Sequence, residues 1–224
     1  MLQRIGAGIA GLAVLTAVLG GCDEQAQSGG PGPEPTVTES AAAVVGCPHR
    51  PTDPFPHDYD EALHDELIAM LERDQSGRSG GEDDEGDPAR TERLRQILAE
   101  HGWPGFDLVG QDGEDAAWAI AQHADLDPEL QRCALRHLAV AVDQGQGSPG
   151  ILAYLSDRIA VAAGEPQRYG TQVSCGRHGR PPKPQTPLAE PGRIEQLRKA
   201  AGLDPYAAYL AEMEEICGGA PPRG

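Results

Sequence analysis

The chain predicts an α-helical bundle with one small β-hairpin, and three observations carry that expectation. Apolar residues recur at helical spacing through most of the chain between residues 59 and 216. An Asp or Ser followed by Pro, the pairing of a capping side chain with a first-turn proline, occurs at Asp87-Pro88, Asp127-Pro128 and Ser148-Pro149. Strand-like sequence is confined to one stretch late in the chain. Mostly helical segments with a single hairpin are packed by burying helix on helix.

Six helical stretches follow in order. Tyr59 to Asp74 carries Leu63, Leu67, Met70 and Leu71 on one stripe. Ser76 to Gly86, with Glu82-Asp83-Asp84-Glu85 among glycines, reads as a disordered acidic loop. Calcium loops alternate their ligands around a fixed glycine, and this run does not. Asp87 as N-cap opens the second helix, with Leu94, Ile97 and Leu98 inside and Gly102 and Pro104 ending it. Glu114 to Ala124 is the third. Asp127 caps the fourth, which runs to about Val142 with Leu130, Leu135, Leu138 and Val142 inward. Ser148 caps the fifth, which ends at Gly164. The last is a pair, Gly192 to Ala201 and Pro205 to Ile216, broken by Gly202 and Pro205. Between the fifth and sixth, Tyr169 to Ser174 and Gln185 to Leu188 form the expected arms of the hairpin. Internal repeats are absent.

The N-terminus reads as a processing signal rather than as structure. Arg4 precedes an uncharged apolar run from Ile5 to Gly20, and Leu19-Gly20-Gly21-Cys22 has the pattern of a bacterial lipoprotein cleavage site. The run is too short and glycine-rich for a transmembrane span of about 20 residues. The expected organisation is a signal peptide at 1–21, lipid on Cys22, a disordered tether at 22–46, a helical domain at 47–217 and a disordered tail at 218–224. The tether is rich in Gly, Pro, Ser, Gln and Glu and cannot bury enough apolar surface to order itself. Several acyl chains on Cys22 satisfy the two-signal requirement for stable anchoring. The expected location is therefore the extracytoplasmic face of a bacterial membrane, which the protein meets through that lipid. An ordinary secretory signal with an accidental cysteine is the alternative.

The whole chain carries a formal charge of −17. Loss of residues 1–21 removes Arg4 and no acid, leaving 17 basic residues against 35 acidic ones, or −18. Nucleic acid is excluded as a partner, because binding it depends on Lys and Arg neutralising phosphates. With Cys22 lipidated, Cys47, Cys133, Cys175 and Cys217 remain in an oxidising compartment. Two disulfides in any of three connectivities are expected. A metal site using Cys133 and His137, four apart on a helix, is the alternative, but no second close-spaced pair accompanies it. No metal or other cofactor is expected.

Four segments are unusual for a plain bundle. They are His101-Gly102-Trp103-Pro104-Gly105 with Val109-Gly110; Gln122-His123-Ala124-Asp125; Tyr154-Leu155-Ser156-Asp157-Arg158; and Gln167-Arg168-Tyr169-Gly170-Thr171-Gln172. With Asp74-Gln75 before them and Gly202-Leu203 and Tyr209-Leu210 after, their order resembles an uncharacterised bacterial family, a domain of unknown function. The resemblance spans most of residues 59–212 and implies a shared fold and a shared polar cluster, but no activity. The chain departs from the pattern in its glycine-rich acidic insert after Gln75 and in its added cysteines.

Within these segments His123 is the side chain whose ordinary pKa lies near neutrality, which makes it the candidate general acid or base. Asp157 is the candidate to orient it, and Arg158 offers a planar fork for a carboxylate or phosphate. Gln122, Tyr169 and Gln172 complete a hydrogen-bonding surface that does not exchange protons at neutral pH. The favoured expectation is a binding or interaction module for a small polar ligand, glycan or peptide. The rival is a cell-envelope hydrolase or transferase with His123 as base and Asp157 as its partner; its nucleophile is not evident in the motifs, where Ser156, Tyr169 and Thr171 are the hydroxyls. The plain structural reading stands beside both. His123 at a helix C-terminus can bond free carbonyls, Asp157 and Arg158 are adjacent and can each be a buried tie, and Gly170 can supply a positive φ for a turn. Trp103 reads as a core plug before a stacking platform.

Overall fold

The computed structural model describes residues 58–175 and 181–218. The signal peptide, Cys22, the tether, Cys47 and residues 219–224 of the expected tail lie outside the described residues, as do 176–180 in the hairpin turn.

Seven α-helices and one two-stranded antiparallel hairpin occur among the described residues: α1 (Glu61–Arg78), α2 (Gly86–His101), α3 (Phe106–His123), α4 (Pro128–Asp143), α5 (Pro149–Ala162), β1 (Val173–Ser174), β2 (Lys183–Pro184), α6 (Ile194–Ala200) and α7 (Tyr206–Gly218). Helix α3 is the hub, packing against α1, α2, α4 and α5. Its inner face is small (Gly113, Ala116, Ala117, Ala121), which lets neighbouring helices approach closely, and Ile120 fills between them. Leu63, Leu67 and Met70 of α1, Leu94, Ile97 and Leu98 of α2, Leu130 and Leu138 of α4 and Ile151 and Leu155 of α5 close the core. Leu71, Leu135 and Val142 pack at its margin. Trp103 is fully buried, as a core plug should be.

The caps at α4 and α5 form as expected. Asp127 accepts from the Leu130 amide at 3.0 Å, and Ser148 Oγ from the Ile151 amide at 3.5 Å. Four expectations need correction. The third helix begins at Phe106, not Glu114, and absorbs Gly110 as a kink at φ +73°. The Gly-rich acidic loop is largely ordered: α1 runs on to Arg78, and Asp83 accepts both from Arg90 (2.7 and 2.8 Å) and from the Gly86 amide (3.0 Å). A buried guanidinium supplies the anchor that local composition does not reveal. Asp87 is not the N-cap of α2, which starts one residue earlier; its carboxylate turns instead to Arg78 and Arg90. The second hairpin arm is Lys183–Pro184 rather than Gln185–Leu188, with Val173 opposite Pro184 and Ser174 opposite Lys183.

Cys175 and Cys217 form a disulfide that ties the hairpin to the end of α7. Cys133 is buried and also disulfide-bonded, so it has no thiolate to share with His137 and the metal alternative there falls.

Candidate functional site

Two polar groups are built from these motifs and their surroundings, and they are separate. The first is built on Asp157. Its carboxylate is fully buried and accepts from the amides of Arg168 (2.8 Å), Tyr169 (3.1 and 3.2 Å) and Thr171 (2.9 Å) and from the Thr171 hydroxyl (3.1 Å). Gln167, also buried, bridges the same loop: its Oε1 accepts from the Gln172 amide at 2.8 Å and its Nε2 donates to the Gln172 and Thr186 carbonyls. Gly170 sits at φ +66°, where a Cβ would come within 2.8 Å of the Tyr206 ring. From the C-terminal helices, Arg198 donates to the Tyr169 carbonyl (2.9 Å) and the Tyr209 hydroxyl to the Thr171 carbonyl (2.6 Å). All of this locks a loop onto α5 and α6–α7.

Asp157 is therefore not the partner of His123, a correction to the expected pairing. Its oxygens are taken by backbone amides that a turning loop cannot bond within itself. Tyr169 and Gln172 belong to the same lock. Arg158 instead grips Asp125 with two bonds at 3.1 and 2.6 Å, at the surface. The Gln122 carbonyl accepts from Gln131 Nε2 at 3.2 Å, while its own Oε1 is buried without a partner. The expected single cluster does not assemble.

The second group is built on His123, at the last turn of α3, where it meets the end of α1 and the first turns of α2. His123 Nδ1 lies 2.8 Å from Asp74 Oδ2. Asp74 is fully buried and also accepts from Arg78 Nε, one helical turn on, at 3.0 and 3.2 Å and from Gln75 Nε2 at 2.8 Å. Arg78 reaches Asp87 at 3.0 Å, and Arg90, 2% exposed, bonds Asp87 at 2.8 Å besides Asp83. Burial alone would push the Asp74 carboxyl up; the contacts with His123 and Arg78 outweigh it and hold it below its usual value. Asp83 is held low chiefly by Arg90, with the Gly86 amide assisting.

The tautomer of His123 follows from this geometry. An ionised carboxylate oxygen and a nitrogen lone pair repel at 2.8 Å, so Nδ1 carries the proton and donates it to Asp74. Arg78 Nε is also 3.0 Å from Nδ1, but two donors do not bond each other, so both serve the carboxylate. Neutral His123 then has its lone pair on Nε2, which has no protein partner among the described residues. The ring is 9% exposed and lines an open cleft of about 180 Å3 with Asp87, Pro88, Thr91, Glu92, Ala124, Leu126 and Asp127. An imidazole held by a carboxylate through Nδ1 and lacking a protein partner at Nε2 is able to accept a proton or a hydrogen bond from a bound molecule that reaches that nitrogen.

The sequence singles out His123 but not the side chains that the fold places around it. From sequence, Asp74 and Gln75 stand out only with the family pattern, Asp83 as part of an acidic loop and Asp87 as a helix cap, while Arg78 and Arg90 do not stand out at all. The available signal was the i, i+4 spacing of Asp74 and Arg78 beside a histidine at a helix end.

The fold and the site define a helical domain with a histidine–carboxylate pair at a surface cleft. The chain belongs to a family of unknown function (DUF6624), whose model matches residues 61–220. Neither the curated proteins nor the solved structures give a match.

Proposed function

We propose that the chain is exported, lipid-modified on Cys22 and held at the outer face of a bacterial membrane. There its domain binds a small polar molecule in the His123 cleft and takes a proton or hydrogen bond from it at Nε2. The observation that carries the reading of the site is the 2.8 Å contact of His123 Nδ1 with buried Asp74, which leaves Nε2 without a protein partner among the described residues on a ring that lines the cleft. The same contact favours a second reading, a hydrolase or transferase in which His123 activates water or a substrate hydroxyl, with Asp74 rather than Asp157 as the orienting carboxylate. A general base of this kind needs no protein nucleophile.

His123→Asn separates the site from its scaffold, because the Asn amide keeps a donor toward Asp74 and removes the base. The expected stability loss is under about 1 kcal/mol, since Asp74 retains Arg78 and Gln75. Wild type and variant are incubated with a small-molecule extract of the cell envelope and compared by mass spectrometry. Retention or conversion of a compound by wild type alone is the expected result; conversion would establish the enzyme reading. Identical behaviour of the two proteins would end the proposal for the cleft. For the anchor, Cys22→Ser is expected to abolish labelling by radioactive palmitate and to leave the precursor uncut. Normal labelling of that variant would refute lipid attachment there.

A further inference from the structure

The side chains around the His123 cleft have an excess of acceptors over donors. Asp87, Glu92 and Asp127 line it with carboxylates, and His123 Nε2 adds a lone pair. The Thr91 hydroxyl, the remaining polar side chain in the lining, either donates or accepts. The nearby cations are engaged with these same acids: Arg78 and Arg90 hold Asp87, and Arg95 holds Asp127 and lies 3.4 Å from Glu92. Asp74, Asp83, Asp87, Glu92 and Asp127 face Arg78, Arg90 and Arg95, so the surroundings of a neutral His123 are net negative. An anionic guest would meet repulsion, and no lysine or arginine is among the residues that line the cleft.

The remaining residues of the lining, Pro88, Ala124 and Leu126, are apolar, and Leu126 is 87% exposed. An exposed leucine beside a polar cleft offers contact to the carbon chain of a guest. The volume, about 180 Å3, lies below the roughly 300 Å3 at which drug-sized pockets begin. It suits a small molecule or the end group of a larger one.

We infer that the cleft takes a primary ammonium carried on a short aliphatic chain. The ammonium donates to His123 Nε2 and to the carboxylates of Asp87 and Glu92, and the chain lies along Pro88, Ala124 and Leu126. This ligand class rests on the reading of His123 Nε2 as an acceptor, and two measurements keep the pair distinguishable.

The first is long-range nitrogen–proton NMR of the His123 ring in the full chain at neutral pH. It is expected to report a protonated Nδ1 and an unprotonated Nε2. The reverse tautomer would remove the acceptor reading of His123, whatever binds. The second is an amide NMR titration with n-butylamine hydrochloride, run against sodium butyrate and inorganic phosphate as matched anions. Butylamine is expected to shift the signals of Thr91, His123 and Leu126, and the two anions to leave them unmoved. Glu92→Gln is expected to weaken butylamine by roughly threefold, the effect of losing one exposed charge contact. Leu126→Ser should weaken it comparably without changing the fold, since that side chain is almost wholly in solvent. Butyrate or phosphate shifting the cleft signals as strongly as the amine would overturn the inference. So would an absence of shifts with butylamine, or an affinity untouched by both substitutions.

Discussion

Asp157→Ala is expected to lower the unfolding free energy by about 3–5 kcal/mol, because several buried donors lose their acceptor at once and each unmet donor costs about 1–3 kcal/mol. The amides of Arg168, Tyr169 and Thr171 and the Thr171 hydroxyl all converge on this one carboxylate. They lie in a loop whose other contacts hold α6 and α7 through Arg198 and Tyr209. Losing the centre therefore loosens the C-terminal part as well. Asp157→Asn keeps one acceptor oxygen and should cost roughly half as much. Urea denaturation measures both variants, and ring signals of His123 should stay at their wild-type positions in each while the protein is folded. A loss below about 1 kcal/mol for the alanine variant would show that the loop does not depend on the carboxylate.

A second large effect belongs to Glu114, and it depends on pH. The side chain is fully buried; Oε1 accepts from Trp103 Nε1 at 3.2 Å and from the Ser148 amide at 2.9 Å, while Oε2 has no partner. Burial pushes its pKa from 4.5 up to about 7, against the opposing pull of those two donors. A raised carboxyl pKa means that folding takes up a proton. The stability tied to the neutral form is complete below pH 4.5 and drains away as the pH rises through 7. The shift corresponds to about 3 kcal/mol at 1.36 kcal/mol per pKa unit. Glu114→Gln holds the site neutral at every pH and keeps an oxygen for Trp103 and Ser148. The stability of the variant relative to wild type is expected to rise by about 3 kcal/mol between pH 4 and pH 8. Urea titrations at both values give that difference, and a difference independent of pH would contradict it. Asp115, next in sequence, is also raised by burial, then by Asp112, so it adds a smaller slope that wild type and variant share.

The helical bundle is legible in the sequence because its information is local. The stripe Leu63, Leu67 and Met70, the caps Asp127 and Ser148, and the positive-φ glycine at position 170 each follow from neighbours within a few residues, and each appears in the structure. Boundaries are less legible where distant partners compete with local preference. Asp87 has the composition of an N-cap, yet Arg78 and Arg90 claim its carboxylate. The acidic run around Asp83 looks disordered until Arg90 is buried beside it. Pairing across the hairpin was displaced by two residues for a similar reason, since Gln167 and Gln172 draw on the stretch from Gln185 to Ala189 through backbone bonds.

What the sequence by itself determined is the fold class, the family to which the chain belongs, and the presence of a histidine, His123, at the end of a helix. Which carboxylate stands beside that imidazole was decided by tertiary structure alone. Asp157 and Asp74 lie 34 and 49 residues from His123 and are equally acidic on paper. Packing of α1 and α2 against α3 buries Asp74 within 2.8 Å of the ring. The amides of Arg168, Tyr169 and Thr171, with the Thr171 hydroxyl, meanwhile occupy both oxygens of Asp157. A charge buried in a protein goes to the donors that satisfy it, and only the folded chain brings those donors within reach.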